Sequence, residues 1–197
     1  WYRVMGFDWG VGRLLTGTVV TAYKDGTLTT DGTGVHFNAA RWHKEDHIRR
    51  LQAERLRTKA VRAEILAAGC TDLVKRAQHL TRAAKYRLDA ESTDKARVNA
   101  NKELCRLAAV WAVNLALAAG ATVLAIENLD SMEPKYGKRL RVNLSTRVRG
   151  MLRDALKTAC RNVGIVFVEV DPANTSVICG RCGNAVNHVK ASNVHSG

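Results

Sequence analysis

The spacing of hydrophobic positions changes twice along this chain, and each change predicts a different kind of element. Tyr2–Asp8, Leu14–Tyr23 and Leu28–Phe37 are strand-like runs, and Lys24-Asp25-Gly26 between the last two is a hairpin signal. Asp-Gly suits a tight turn because glycine accepts a positive φ without steric cost. From Arg41 to Ala68 the apolar positions Ile48, Leu51, Leu56, Ile65 and Leu66 lie among eight basic and four acidic residues, predicting a helix with a wet face that stops at Gly69. A second helix is expected to be capped by Thr71. The polar stretch Asp89–Asp94 reads as a bend, and a third helix over about 95–119 places Leu104, Leu107, Trp111 and Leu115 on one face. A strand ending near Ile126, a loop over 130–142, a helix over about 145–162 closed by Gly164 and a strand at Ile165–Val170 complete the series.

Three strands, helices, a strand, a helix and a strand predict an α/β domain with a mixed sheet, antiparallel at its start and parallel later. Leu107–Ile126 is twenty residues without a charge, which on length alone could span a bilayer. It is mostly alanine, holds Asn114 and Thr122 and is broken by Gly120. A helix followed by a buried strand accounts for it better than a membrane span.

A chain of 197 residues can bury one good core. Its hydrophobic content of 46% is that of a folded domain, whereas a net charge of +13 and a pI near 10.0 point to a polyanionic partner, most often nucleic acid. A solvated basic surface is the plain alternative. Five cysteines with no signal peptide favour a reducing, cytoplasmic setting.

Two carboxylates carry the candidate chemistry. Asp8 ends the first strand in Gly6-Phe7-Asp8-Trp9-Gly10, and Glu127 ends the fourth in Ala125-Ile126-Glu127-Asn128-Leu129. Ligands of open α/β sheets bind beyond the carboxyl ends of parallel strands. If the first and fourth strands are parallel neighbours, both acids project from one rim and can hold Mg²⁺ or Mn²⁺, hard ions that suit a phosphate substrate. Taken singly, an acid at a strand end is more often a turn or cap residue. Asp-x-Gly after a strand also suits a phosphate loop of actin-like ATPases, but the second glycine-rich loop which that fold requires is missing.

Cys179-Gly-Arg-Cys182-Gly183 follows the last strand and the turn at Asp171-Pro172, and supplies half of a tetrahedral Zn²⁺ site. No second Cys-x-x-Cys follows. Completion by His188 and His195 would need a separation of seven, outside the usual spacing. With Trp at position 1 and a loop-like end, the chain reads as a piece of something longer.

The three motifs in this order resemble the RuvC-like nuclease domain of TnpB proteins and type V CRISPR effectors, over roughly Val4 to Gly183. The resemblance implies an RNase H-like fold, with residues 1–170 as the RuvC-like domain, 41–119 as a long helical insertion and 171–197 as a partial zinc-ribbon segment. It implies that Asp8 and Glu127 are the first two catalytic acids and that Cys179 and Cys182 are the first half of the zinc ribbon. The family's third acid and second Cys-x-x-Cys have no counterpart after Cys182, so both sites are incomplete as given. The implied partners are a guide RNA and target DNA, and the implied place is the cytoplasm, at the nucleoid when DNA is bound. Neither a membrane nor a small-molecule substrate is expected. The implied function is metal-dependent hydrolysis of DNA, the alternative a silent domain that binds guide and target without cutting.

The nucleic acid is expected along a basic stretch. Lys135 to Arg161 holds nine basic residues and one acid, Asp154. Lys135, Lys138, Arg139 and Arg141 fall on the loop after Glu127, and Arg147, Arg149 and Arg153 are expected on the first turns of the next helix, where the macrodipole also favours phosphate. Trp9 and Tyr136 are candidates for stacking on an unpaired base. Cys70, Cys105 and Cys160 read as small buried hydrophobes in helices.

Overall fold

The computed structural model describes residues 1–9, 13–128 and 142–171. Five strands form one sheet: β1 (Tyr2–Trp9), β2 (Arg13–Ala22), β3 (Leu28–Asn38), β4 (Val123–Glu127) and β5 (Val166–Val170). The helices are α1 (Ala40–Ala68), α2 (Leu73–Ala118) and α3 (Val142–Val163). The sheet order is β3-β2-β1-β4-β5, antiparallel across β1, β2 and β3 and parallel across β1, β4 and β5. This is the mixed, RNase H-like α/β arrangement expected from the sequence.

The hairpin between β2 and β3 closes as Asp-Gly demands. Gly26 has φ 85°, the Tyr23 amide donates to the Thr27 carbonyl at 2.9 Å, and Asp25 Oδ1 accepts from the Thr27 amide at 2.9 Å. Both helix-to-strand junctions end on glycine. At Gly120 (φ 65°) the Ala121 amide reaches the Ala116 carbonyl and the Gly120 amide the Leu117 carbonyl; Gly164 (φ 76°) repeats the pattern through Ile165 and Cys160. These paired six-to-one and five-to-two bonds satisfy carbonyls that the last helical turn leaves unpaired. Arg3 of β1 adds a bond from Nη1 to the Ala119 carbonyl at 2.9 Å, pinning the end of α2 to the sheet.

One core lies between the sheet and the helices. Met5, Phe7, Leu124 and Ile126 alternate inward from β1 and β4, and meet Leu104, Ala108 and Ala112 of α2 and Leu152, Leu156 and Cys160 of α3. Trp111 packs between Phe7 and Phe37, with ring centroids 5.8 and 5.5 Å away. Gly17 sits where a Cβ would come within 2.4 Å of the Phe7 ring, so the ring of Phe7 lies across the place of a side chain. A glycine inside a strand marks such a close approach.

The helical region departs from expectation at several points. No bend occurs at Asp89–Asp94, and α2 runs through as one helix of 46 residues. The polar groups there are absorbed by the wet face: Thr93 Oγ1 donates to the Asp89 carbonyl at 2.8 Å, Asp94 pairs with Arg57 and Ala90 turns inward. The N-cap is Asp72 rather than Thr71, its Oδ1 accepting from the Val74 and Lys75 amides at 2.9 and 3.2 Å. Gly69 does close α1, but with a right-handed φ of −85°. Cys70 lies in the turn between α1 and α2, partly exposed, and not in a helix; Cys105 and Cys160 are buried as expected.

The buried face of α1 is also not the expected one. Ile48, Ile65 and Leu66 are 52, 66 and 58% exposed, whereas Ala53, Ala60, Ala63 and Ala67 are buried against α2. Ala53, Ala60 and Ala67 recur every seven residues, as do Ala83 and Ala90 of α2, so a heptad seam of methyl groups joins the two helices as an antiparallel hairpin. Small residues at the contact bring helix axes together. Near the hairpin's root the seam turns polar. Asp46, only 3% exposed, accepts from Asn101 Nδ2 at 3.1 Å and lies 3.8 Å from Arg97 Nε.

Candidate functional site: an acidic rim at the carboxyl end of the parallel strands

The parallel pairing of β1 with β4 ends at Phe7 opposite Ile126, so Asp8 and Glu127 stand side by side one residue further on. Neighbouring strands lie about 4.8 Å apart. Phe7 and Ile126 are buried beneath the sheet, and side chains alternate, which puts Asp8 and Glu127 together on the opposite face. Asp8 is exposed and Glu127 half-buried. On the far side of β4, Glu127 is level with Val170 of β5, and the Asn128 amide donates to the Val170 carbonyl at 2.8 Å. Asp171 therefore emerges at the same rim. The expectation that strands one and four are parallel neighbours is met, and the condition placed on the acidic pair is satisfied.

The packing beneath this rim explains its position. Phe7 is held by Trp111 above the gap left by Gly17, and Leu124 and Ile126 fix β4 against α2 and α3. Each acid is thus one peptide away from a buried anchor. The donor set suits a hard divalent cation: two carboxylates from adjacent strands supply oxygen ligands and leave positions for water. Among the described residues no cluster of three or more Asp, Glu, His or Cys side chains forms.

Arg149 borders the same end of the sheet. Its guanidinium lies over the Trp9 ring, 5.7 Å from the centroid, next in sequence to Asp8. Its Nε is buried without a hydrogen-bond partner, and burial lowers the guanidinium's pKa from its ordinary value. Trp9 is packed against the core as well as covered by Arg149, so its ring is engaged within the fold and not standing free as a stacking platform. Arg153 faces carboxylates, with Nε 3.9 Å from Asp154 and 4.0 Å from Glu169. Because α3 begins at Val142 and not near 145, Arg149 and Arg153 fall in its third and fourth turns, beyond the reach of the N-terminal dipole. The side chain of Arg147 lies outside the described residues, as do Lys135, Lys138, Arg139, Arg141, Tyr136, Cys179, Cys182, His188 and His195.

Two contributions to the site went unread in the sequence. The pairing of Arg149 with Trp9 joins residues far apart along the chain, and nothing local announces it. Gly17 did carry a signal, since an isolated glycine within the β2 run marks close backbone or side-chain approach.

The comparisons with known proteins agree with this fold. Residues 150–196 match the family model described as Cas12f1-like, TNB domain. No curated protein matches the sequence at a significant level. Among solved structures, the fold is similar to that of Cas12f1 in its complex with sgRNA and target DNA. That likeness has a TM-score of 0.54 and 18% identity, and covers 96% of this chain and 33% of the other. It is also similar to Alicyclobacillus acidoterrestris C2c1 in complex with single-guide RNA (TM-score 0.55, 9% identity, 92% of this chain and 34% of that one). The mini-RNA-guided endonuclease CRISPR-Cas_phi3 is similar at TM-score 0.55 and 12% identity, covering 94% of this chain and 40% of its own. The chain thus spans about a third of the length of the effectors it matches. These likenesses show the fold, and with the family match they support the resemblance to the RuvC-like region of TnpB and type V effectors.

Proposed function

We propose that this chain is the RuvC-like domain of an RNA-guided, DNA-targeting effector, and that the acidic rim hydrolyses phosphodiester bonds of DNA. The observation that carries the reading is the placement of Asp8 and Glu127 side by side, on one face, at the carboxyl end of two parallel strands. Asp8 and Glu127 would hold Mg²⁺ or Mn²⁺, which when bound polarises a phosphoryl oxygen and acidifies water. The chain's own contributions are to position the two carboxylates through Phe7 and Ile126, and to place the Arg149 cation at the same end of the sheet. The complexes named for the similar effectors favour a guide RNA and target DNA as partners. Such effectors read the guide–target duplex by its shape and backbone, and leave sequence to base pairing. Cys179 and Cys182 would contribute two thiolates to a Zn²⁺ site. Among the described residues, no helix is long and apolar enough to cross a membrane.

A second reading is favoured by one observation: the acidic pair gathers no third metal-binding side chain among the described residues. In this reading the domain occupies guide and target without cutting. One experiment separates the two. Guide-complementary DNA is incubated with the intact protein and Mg²⁺, beside Asp8→Asn and Glu127→Gln variants. The nuclease reading expects cleavage that both variants lose while retaining DNA binding, because removing a charge from the metal ligands leaves the basic contacts in place. Tight binding with no cleavage by any form would overturn it in favour of the binding-only reading.

A further inference from the structure

The first half of α2 carries a second, unused seam. Ala83 and Ala90 face α1, but Leu73, Ala77, Leu80, Ala84 and Leu88 recur at spacings of four, three, four and four. At 100° per residue these five gather on a separate stripe about a third of a turn from the alanine seam. Leu73, Leu80 and Leu88 are 76, 49 and 66% exposed, and Val74 beside them is 68% exposed. A shallow, open hollow of about 630 Å³ lies beside the N-terminal end of the stripe, lined by Leu73, Val74, Ala77, Gln78, Thr81 and Arg82. Leucines alternating with alanines form knobs beside holes, the surface against which another helix packs.

Charge selects the occupant. Leu73 to Leu88 holds Lys75, Arg76, Arg82, Lys85 and Arg87 and no acid. Arg87 is paired with Glu64 at 2.6 Å and Lys75 lies 3.7 Å from Asp72, whereas Arg76, Arg82 and Lys85 make no ion pair among the described residues. Arg76 borders the stripe on one side and Lys85 on the other. A second copy of the helix would set basic flank against basic flank, which disfavours self-pairing. Nucleic acid would satisfy the bases but leave the three leucines in water. A helix with an apolar face and acidic borders satisfies both.

We infer that the outer stripe of α2 is a docking surface for an amphipathic helix of a protein partner, apolar on one face and flanked by Glu or Asp. The surface is independent of the proposed nuclease site. The probe is a three-heptad helical peptide with leucine at its core positions and glutamate on both borders, labelled for fluorescence anisotropy with the full 197-residue chain. A sister peptide carries lysine on the borders. Saturable binding of the glutamate peptide is expected, weakened about tenfold or more in Leu80→Ser/Leu88→Ser and in Arg76→Glu/Lys85→Glu, with no binding of the lysine peptide. All four positions are exposed, and circular dichroism checks that each variant keeps its helix content. Failure of the glutamate peptide to bind, equal binding of both peptides, or unchanged binding by the leucine variant would each overturn the proposal. So would a concentration-dependent dimer abolished by Leu80→Ser/Leu88→Ser, which would make the occupant a second copy. A short RNA–DNA hybrid whose own binding depends on Leu80 and Leu88 would assign the stripe to nucleic acid and overturn it equally.

Discussion

The helices under the sheet and the helices of the α1–α2 hairpin are held by different physics, although α2 belongs to both. Under the sheet, α2 and α3 bury Leu104, Val113, Leu152 and Leu156 against Met5, Phe7, Leu124 and Ile126. In the hairpin the buried positions of α1 are alanines and one aspartate, and its large aliphatics Ile65 and Leu66 stay in water. Burying a methyl group removes far less apolar area than burying a leucine. The hairpin therefore depends on close approach, backbone hydrogen bonds and cross-helix ion pairs, and the core on transfer of large side chains from water. The acidic rim stands on the second kind of support.

The largest test of this contrast is truncation. Leu124 is fully buried in β4, three residues before Glu127, and Leu124→Ala should cost about 2–5 kcal/mol of folding stability. Leu66→Ala, in the hairpin, should fall within about 0.5 kcal/mol of wild type because Leu66 is exposed. Urea unfolding of the two variants measures both. A comparable loss for Leu66→Ala would mean that the hairpin's outer aliphatics are packed after all.

Enlargement should level the difference in sensitivity between the two regions. Gly17→Ala puts a methyl 2.4 Å from the Phe7 ring and 2.9 Å from the Gly6 carbonyl oxygen. Overpacking of that kind costs about 1–3 kcal/mol. Because Phe7 adjoins Asp8, the same change should also lower any metal-dependent cleavage beyond its effect on stability. Ala60→Leu in the seam should cost a similar amount, about 1–3 kcal/mol, by forcing α1 and α2 apart. The two should separate in amide hydrogen exchange: Ala60→Leu should speed exchange in the hairpin alone, and Gly17→Ala in β1 and β2.

What was legible in the sequence follows the same division. Strands β1 to β5 could be read because alternation, Asp-Gly and helix-ending glycines are local signals with local causes. The adjacency of Asp8 and Glu127, by contrast, hung on a long-range strand pairing that the sequence left as a condition. The hairpin misled because its buried stripe is built from alanine, which a search for large apolar residues passes over. Asp89–Asp94 misled for the complementary reason: a polar run breaks no helix when its side chains find Arg57 or their own backbone. The pairing of Arg149 with Trp9 was illegible because tertiary contact alone brings them together.

A pH scan probes the core without altering its shape. Burial pushes the thiol of Cys105 from 9.0 up to about 12 and that of Cys160 up to about 11. The folded state holds these protons more tightly than the unfolded chain, so their stabilisation is fully present below pH 9 and is lost as pH rises through the folded values. The fall should approach about 1.4 kcal/mol per pH unit for each thiol above pH 9. Urea midpoints compared between wild type and Cys105→Ala/Cys160→Ala isolate this part, since the variant lacks it. Parallel curves for the two proteins from pH 8 to about 10.5 would show that the thiols are hydrated.

The smallest effect expected belongs to the hairpin's ion pairs. Arg57 pairs with Asp94 and Glu64 with Arg87, each joining α1 to α2 across the seam. The arginine side chains are 56 and 62% exposed, so water and salt screen both attractions. A double-mutant cycle of Arg57→Ala with Asp94→Ala should give a coupling of about 0.2–1 kcal/mol that fades between low and high salt. The pairs also bear on register: α2 gives the seam only Ala83 and Ala90, and a slip of one heptad would set Arg76 or Arg97 against an alanine of α1 as well as break both pairs. The buried Asp46, held between Asn101 and Arg97, adds to this discrimination. Replacing the four charged residues of the pairs alone should change stability little. Adding Asp46→Ala, which strips Arg97 and Asn101 of a buried partner, should lower stability and broaden the hairpin's backbone amide signals in nuclear magnetic resonance. Sharp, unshifted signals in that variant would mean that the seam specifies its register without them.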